Sequence, residues 1–132
     1  LLHCEVALGE LHLHCLCVHF GLHERGRRRQ LSALTERVQR LVPADAPLVV
    51  AGDFNDWRNS AGRELVAELD LKEVFRDQRG RPARTYPSAF PLLRLDRIYA
   101  RGFDVRHAEV HHGLPWSRIS DHAALSVELE LR

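Results

Sequence analysis

Leu48-Val49-Val50-Ala51-Gly52-Asp53-Phe54-Asn55-Asp56-Trp57 is the stretch on which the reading of this chain turns. Leu48 to Ala51 form a short continuous apolar run, the pattern of a buried strand. The run ends by delivering an acid and an amide, Asp53 and Asn55. If the backbone stays extended, these two point the same way and Phe54 packs opposite. Gly52 permits close approach of the backbone to a ligand. A carboxylate beside an amide donor suits phosphate-ester chemistry. One handles a proton or a metal, and the other donates to a phosphoryl oxygen. Taken alone, the same residues also describe a strand-ending turn in which Asp and Asn satisfy backbone groups.

Outward from this stretch, the patterning predicts strands at residues 2–7 and 11–18, joined by a connection of hairpin length at Leu8-Gly9-Glu10. From about residue 24 to 42, Leu31, Leu34, Val38, Leu41 and Val42 recur at helical steps of three and four. Pro43 and Pro47 bracket the exit. Ser60 is a suitable N-cap for a short helix carrying Leu65, Val66 and Leu69. Residues 76–94 hold three prolines, a glycine and five arginines, and read mostly as loop. Further strands are expected at 95–100, 103–110 and 122–131, the last alternating at Leu125, Val127, Leu129 and Leu131. Strands outnumber helices, and the mixture predicts α/β layers.

Three other places carry chemistry. Asp96 interrupts an apolar strand in Arg94-Leu95-Asp96-Arg97-Ile98-Tyr99, which is costly without a partner. A histidine would serve, because a carboxylate fixes its tautomer and raises its basicity. A salt bridge to Arg94 or Arg97 is the plainer alternative. Ile119-Ser120-Asp121-His122 sets an oxygen ligand beside an imidazole that titrates near neutrality. Asp121 suits a hard cation such as Mg²⁺, and His122 suits a general base or the stabilisation of a developing anion. His19 leaves the apolar run of Val18-His19-Phe20-Gly21-Leu22 just where the chain turns.

These motifs, in this order, resemble the C-terminal section of the endonuclease/exonuclease/phosphatase superfamily, and the resemblance covers nearly the whole chain. Its carriers are Val-His-Phe-Gly-Leu with the Arg-Arg-Arg-Gln of residues 27–30, then Ala-Gly-Asp-Phe-Asn-Asp-Trp, Arg-Leu-Asp-Arg-Ile-Tyr and Ser-Asp-His. The closest likeness is to bacterial members with poorly defined substrates. The resemblance implies a deoxyribonuclease I-like fold, a four-layer α/β/β/α sandwich, with residues 1–132 forming a single partial domain that lacks its N-terminal portion. It implies a Mg²⁺- or Mn²⁺-dependent phosphoesterase acting on a nucleic acid, a phospholipid headgroup or a small phosphoester. Asp53 would orient or deprotonate the attacking water, and Asn55 would hold a phosphate oxygen. Asp121, with Asp53, would bind the metal. His122 would contact the scissile phosphate or act as base, oriented by Asp96. His19 matches a position where many members place a second histidine. Arg84 and Tyr86 lie ahead of the Asp96 strand and are assigned to the substrate side.

Members of that superfamily also carry an early asparagine and a metal-ligating glutamate, for which Glu5 and Glu10 are wrongly placed. The chain has no methionine and opens on Leu1, so it reads as a piece of a longer protein. It is therefore expected to bind metal weakly, to be inactive or impaired alone, and to expose an apolar sheet face. A catalytically silent module that binds a phospholigand or a protein is the competing reading.

Composition narrows the classes further. At 132 residues and a formal net charge of +1, the chain is one small domain with no global field toward polyanions. No apolar run reaches the ~18–20 residues that cross a bilayer, and no obligate protein partner is indicated. The odd set Cys4, Cys15 and Cys17 reads as buried thiols in a reducing compartment, hence a cytoplasmic location. Arg25, Arg27, Arg28 and Arg29 read as a solvated helix face without interleaved aromatics. A histidine-rich metal carrier would require His12, His14, His19 and His23 to cluster in space.

Overall fold

A computed structural model describes every residue from Leu1 to Arg132. Strands β1 (Leu2–Leu8) and β2 (Leu11–His19) form an antiparallel hairpin around Gly9, whose φ is 67°. Helix α1 (Glu24–Leu41) follows and buries Leu31, Leu34, Thr35 and Val38 along one stripe. Glu24 in its first turn and Arg40 in its last complement the helix dipole. Strand β3 (Leu48–Asp53) then pairs parallel to β2. Helix α2 (Ser60–Leu69), the short β4 (Lys72–Glu73) and α3 (Val74–Arg79) lead to β5 (Asp96–Arg101). The chain closes with a hairpin of β6 (Phe103–His111) and β7 (Ala124–Leu131).

Two sheets result: a five-stranded one in the order β1-β2-β3-β5-β4, and the β6–β7 pair. Successive side chains of β3 face opposite layers. Leu48 and Val50 are wholly buried in the larger core, with Leu16, Leu34, Leu65 and Tyr99, under α1 and α2. Val49 and Ala51 face the smaller core, where Ile98 and Ala100 meet Val74, Phe75 and Ala108. The burial of β3 on both faces is the physical meaning of its unbroken apolar run. Helices, sheet and hairpin thus give three layers of a deoxyribonuclease I-like α/β/β/α fold.

The hairpin layer leaves the β1–β2 end of the large sheet uncovered. Leu2, Val6 and Leu8 are exposed there, as are two of the three thiols. Cys4 lies opposite Cys15 in register, and both Cys4 and Cys17 are exposed rather than buried. Burial of a thiol requires a covering layer, which this face lacks. No helix is long and apolar enough to cross a membrane.

Residues 80–94 are loop, as expected, but two local details differ from the sequence reading. Part of the arginine-rich loop is helical: α3 starts where the Glu73 carboxylate accepts a bond from the Arg76 N–H at 2.7 Å. With only Val74 and Phe75 buried, α3 is too short to show a period. Ser60 is not the cap of α2 either. Asn59 holds that position in a left-handed conformation and makes no side-chain cap bond. Asp56 reaches forward instead, accepting from the N–H groups of Ser60 and Ala61 at 3.0 and 2.8 Å.

Candidate active site

Three strands end at one edge of the large sheet, and their registers align three side chains. His19, the last residue of β2, is the partner of Asp53, the last of β3. Asp53 is in turn the partner of Asp96, the first of β5. The row His19–Asp53–Asp96 follows from strand lengths and pairing rather than from any local sequence rule. His19 Nε2 lies 3.6 Å from Asp53 Oδ2, on a largely exposed ring.

His122 arrives from the segment before β7, which is stitched to residues 85–88. Ser88 N donates to the Asp121 carbonyl at 2.7 Å, and Ala123 N to the Thr85 carbonyl at 2.7 Å. This places His122 Nδ1 2.8 Å from Asp96 Oδ2 and His122 Nε2 3.9 Å from Asp53 Oδ2. The fully buried Thr85 donates its hydroxyl to the same Asp96 oxygen at 2.5 Å. Neither Arg94 nor Arg97 pairs with Asp96; both donate to backbone carbonyls, of Pro82 and Arg94 respectively.

Asn55 departs from the extended geometry. Its φ is +47°, so the chain turns immediately after β3. Its N–H donates to Asp53 Oδ1 at 2.8 Å, and its Nδ2 donates to the Phe20 carbonyl at 2.7 Å. One amide proton is therefore committed to the end of β2, which locks the carboxamide beside Asp53 and leaves the other proton free.

His19, Asp53, Asn55, Tyr86, Asp121 and His122 line one cavity of about 540 Å³. Exposed Trp57 and Leu22 form part of its wall. The Tyr86 ring centroid stands 5.2 Å from that of His122. Arg84 is not in this cavity. It opens onto a different one with Arg79, Arg81 and Arg94, because the chain is pinned at Thr85 and leaves Arg84 on the far side of that anchor.

Burial pushes the Asp53 carboxyl above its usual value, and the nearby Asp96 charge adds to this. The bond from Asn55 N–H and the two histidines oppose the shift without cancelling it. For His122, burial alone would lower the pKa. The Asp96 hydrogen bond and the charges of Asp96, Asp53 and Asp121 outweigh it, and the net shift is upward.

Asp53, Asp96 and His122 present ligand atoms within 4.8 Å of one another. Asp121 lines the same cavity. This oxygen-rich set suits a hard divalent cation in kind, but such an ion takes about six or more oxygen ligands. Asp96 Oδ2 is already engaged by His122 and Thr85, which leaves Asp53 as the freer carboxylate of the compact set; Asp121 borders the cavity outside that set. These residues fill only part of a coordination shell.

The family model for the endonuclease/exonuclease/phosphatase family matches residues 3–122. The chain belongs to this family. Among relatives of that kind, the uncharacterized protein YbhP of Escherichia coli is 48% identical over 122 residues, covering 90% of this chain and 47% of that protein. The chain therefore spans about half the length of the curated relatives it matches. A functionally unknown conserved protein from Enterococcus faecalis superposes with a TM-score of 0.77 at 17% identity, over 95% of this chain and 52% of that one. A D. rerio TDP2 solved with a single-strand DNA product superposes at 0.71 and 19% identity, over 97% and 60% of the two chains. The solved structures establish the fold.

Two contributors carried no readable signal. Thr85 acts on Asp96 from eleven residues away, through a loop. Asp56 lies within the opening motif, yet its work is to hold α2. The histidines do not form one cluster: His19 stands in the candidate site, whereas His14 is buried and 3.1 Å from His3.

Proposed function

We propose that this chain carries the C-terminal half of the catalytic machinery of a metal-dependent phosphoesterase. The observation that carries the reading is the row His19–Asp53–Asp96, with His122 held over it by Asp96 at 2.8 Å. Asp53, with its raised pKa, and His122, oriented through Nδ1, are the two groups able to take a proton from an attacking water. The free Asn55 amide proton donates to a phosphoryl oxygen. Tyr86 and Trp57 border the organic part of the ester. Asp53 and Asp121 would hold a Mg²⁺ or Mn²⁺ ion, which supplies charge neutralisation to the phosphoryl group. The substrate class is a phosphoester: a nucleic acid, a phospholipid headgroup or a small molecule.

The test is hydrolysis of a chromogenic phosphodiester and a phosphomonoester by the gene-encoded full-length protein, with Mg²⁺, with Mn²⁺ and with EDTA. The Asp53→Ala variant is expected to lose activity by about 10²- to 10⁴-fold, and EDTA is expected to abolish it. A protein inert toward both esters with either metal present, and indifferent to Asp53→Ala, overturns the reading. The fold would then serve as a binding module.

A further inference from the structure

Four arginines converge on a cavity that the catalytic reading does not use. Arg79, Arg81, Arg84 and Arg94 line a space of about 480 Å³, joined by His112. No acidic residue lines it. The arginine ion pairs of the molecule are Arg28–Glu24, Arg106–Glu130 and Arg132–Asp104, and none of the four takes part. Like charges held together without counter-ions repel, and a chain of net charge +1 has acids enough to have paired them.

The arrangement is built rather than incidental. Arg79 Nη2 donates to the Ala108 carbonyl at 2.7 Å, and Arg94 Nε donates to the Pro82 carbonyl at 2.9 Å. The Arg79 guanidinium also stands over the Phe75 ring, 5.7 Å from its centroid. Backbone anchors thus fix two of the guanidinium groups beside the apolar lining of Phe75, Ala83 and Val110; Arg94 is half-buried, and Arg79, Arg81 and Arg84 are exposed and open to a ligand. Burial, together with the charges of Arg84 and Arg81, presses the Arg94 pKa below its ordinary value. A planar guanidinium presents paired donors that match the oxygens of a phosphate group, and several together bind one more strongly than ammonium groups would. The volume falls within the range of small-molecule sites.

We propose that this arginine cavity is a binding site for a small phosphorylated molecule, separate from the candidate active site. The 82–95 segment divides the two: Tyr86, Leu93 and Leu95 face the active-site cavity, and Arg84 and Arg94 face the arginine cavity. The assignment stands independently of the hydrolase reading.

Isothermal titration of the gene-encoded full-length protein with pyrophosphate, and separately with inorganic phosphate, tests it at low and at moderate ionic strength. Saturable one-site pyrophosphate binding is expected, weakening with added salt. An Arg81→Ala/Arg84→Ala double variant is expected to weaken it by about tenfold or more, as loss of charge-assisted bonds requires. Arg84→Lys, which keeps the charge but loses the fork, is expected to weaken it less. His122→Ala is expected to leave it unchanged. Should circular dichroism show the double variant unfolded, the single Arg81→Gln and Arg84→Gln variants carry the comparison. Absence of saturable binding, affinity indifferent to the arginines, or loss of binding in His122→Ala each overturns the proposal. So does binding of a single-stranded oligonucleotide without binding of pyrophosphate.

Discussion

Asp96 Oδ2 accepts the Nδ1 proton of His122 at 2.8 Å, across 26 positions of sequence. The contact selects the tautomer that turns Nε2 toward Asp53. It also makes the protonated ring more favourable in the folded chain, so the folded pKa lies above the ordinary histidine value. The stabilisation is fully present below the unfolded value of about 6.5. It is lost as pH rises through the raised folded value. An NMR titration of the His122 ring protons is expected to show a midpoint above that of a free histidine. In Asp96→Asn the midpoint should fall, and the decline in stability over that window should shrink. Equal midpoints in the two proteins would show that Asp96 is not the cause.

Asp56 joins the site loop to α2. Its carboxylate accepts from Ser60 N and Oγ at 3.0 Å, from Ala61 N at 2.8 Å and from Gly62 N at 3.4 Å, and the residue is almost wholly buried. Removing a buried charged acceptor leaves these donors unpaired, so Asp56→Ala is expected to cost about 2–4 kcal/mol. Asp56→Asn, which keeps one acceptor oxygen, should cost less. Urea unfolding measures both, and a loss below that of an ordinary surface substitution would contradict the capping role.

Gly52 carries the close contact between β2 and β3. A Cβ at this position would lie 1.9 Å from the Val18 carbonyl oxygen, and φ is +142°. Both the clash and the backbone conformation exclude a side chain. Gly52→Ala is expected to destabilise the protein by about 3 kcal/mol or more and to displace Asp53, the next residue. Thermal unfolding and loss of the His19–Asp53 register in NMR contacts are the measurements. A variant of native stability would contradict this account of the strand pair.

Glu73 is buried with Oε1 lacking a hydrogen-bond partner, and burial raises its pKa. For an acid, a folded value above the unfolded one means the folded state holds the proton longer. Stability therefore falls as pH rises from the unfolded value of about 4.3 through the folded value. Glu73→Gln keeps a carbonyl oxygen for the Arg76 N–H and carries no charge. Its stability relative to the parent is expected to increase across that window and to be lowest in acid. Denaturation at acidic and neutral pH compares the two, and a gap that stays constant with pH would rule out ionisation of Glu73 as the source.

Much of the site was legible in the chain because its residues cluster in short motifs at strand ends. The unbroken Leu48–Ala51 run announced a strand buried on both faces, and the acid after Gly52 pointed to the candidate site at its end. Asp96 was legible as an anomaly, a charge in an apolar strand that demanded a partner. What could not be read was how far the backbone stayed extended. Asn55 turns left-handed because its N–H and side chain close onto Asp53 and Phe20, and Phe20 lies 35 residues earlier. Arg84 and Tyr86 sit two apart yet open onto different cavities, because the intervening Thr85 is anchored to Asp96.

Local pattern by itself determined the α/β composition, the order of the main strands and helices, and the chemistry-bearing side chains at their ends. Those features rest on periodicity and residue type within a few positions of one another. Only the tertiary structure decided that His19, Asp53 and Asp96 stand in one row, that His122 rather than an arginine meets Asp96, and that four scattered arginines share a cavity. Each of these depends on strand register or on a loop anchored across the fold, and such long-range pairings are set by the packing of whole elements.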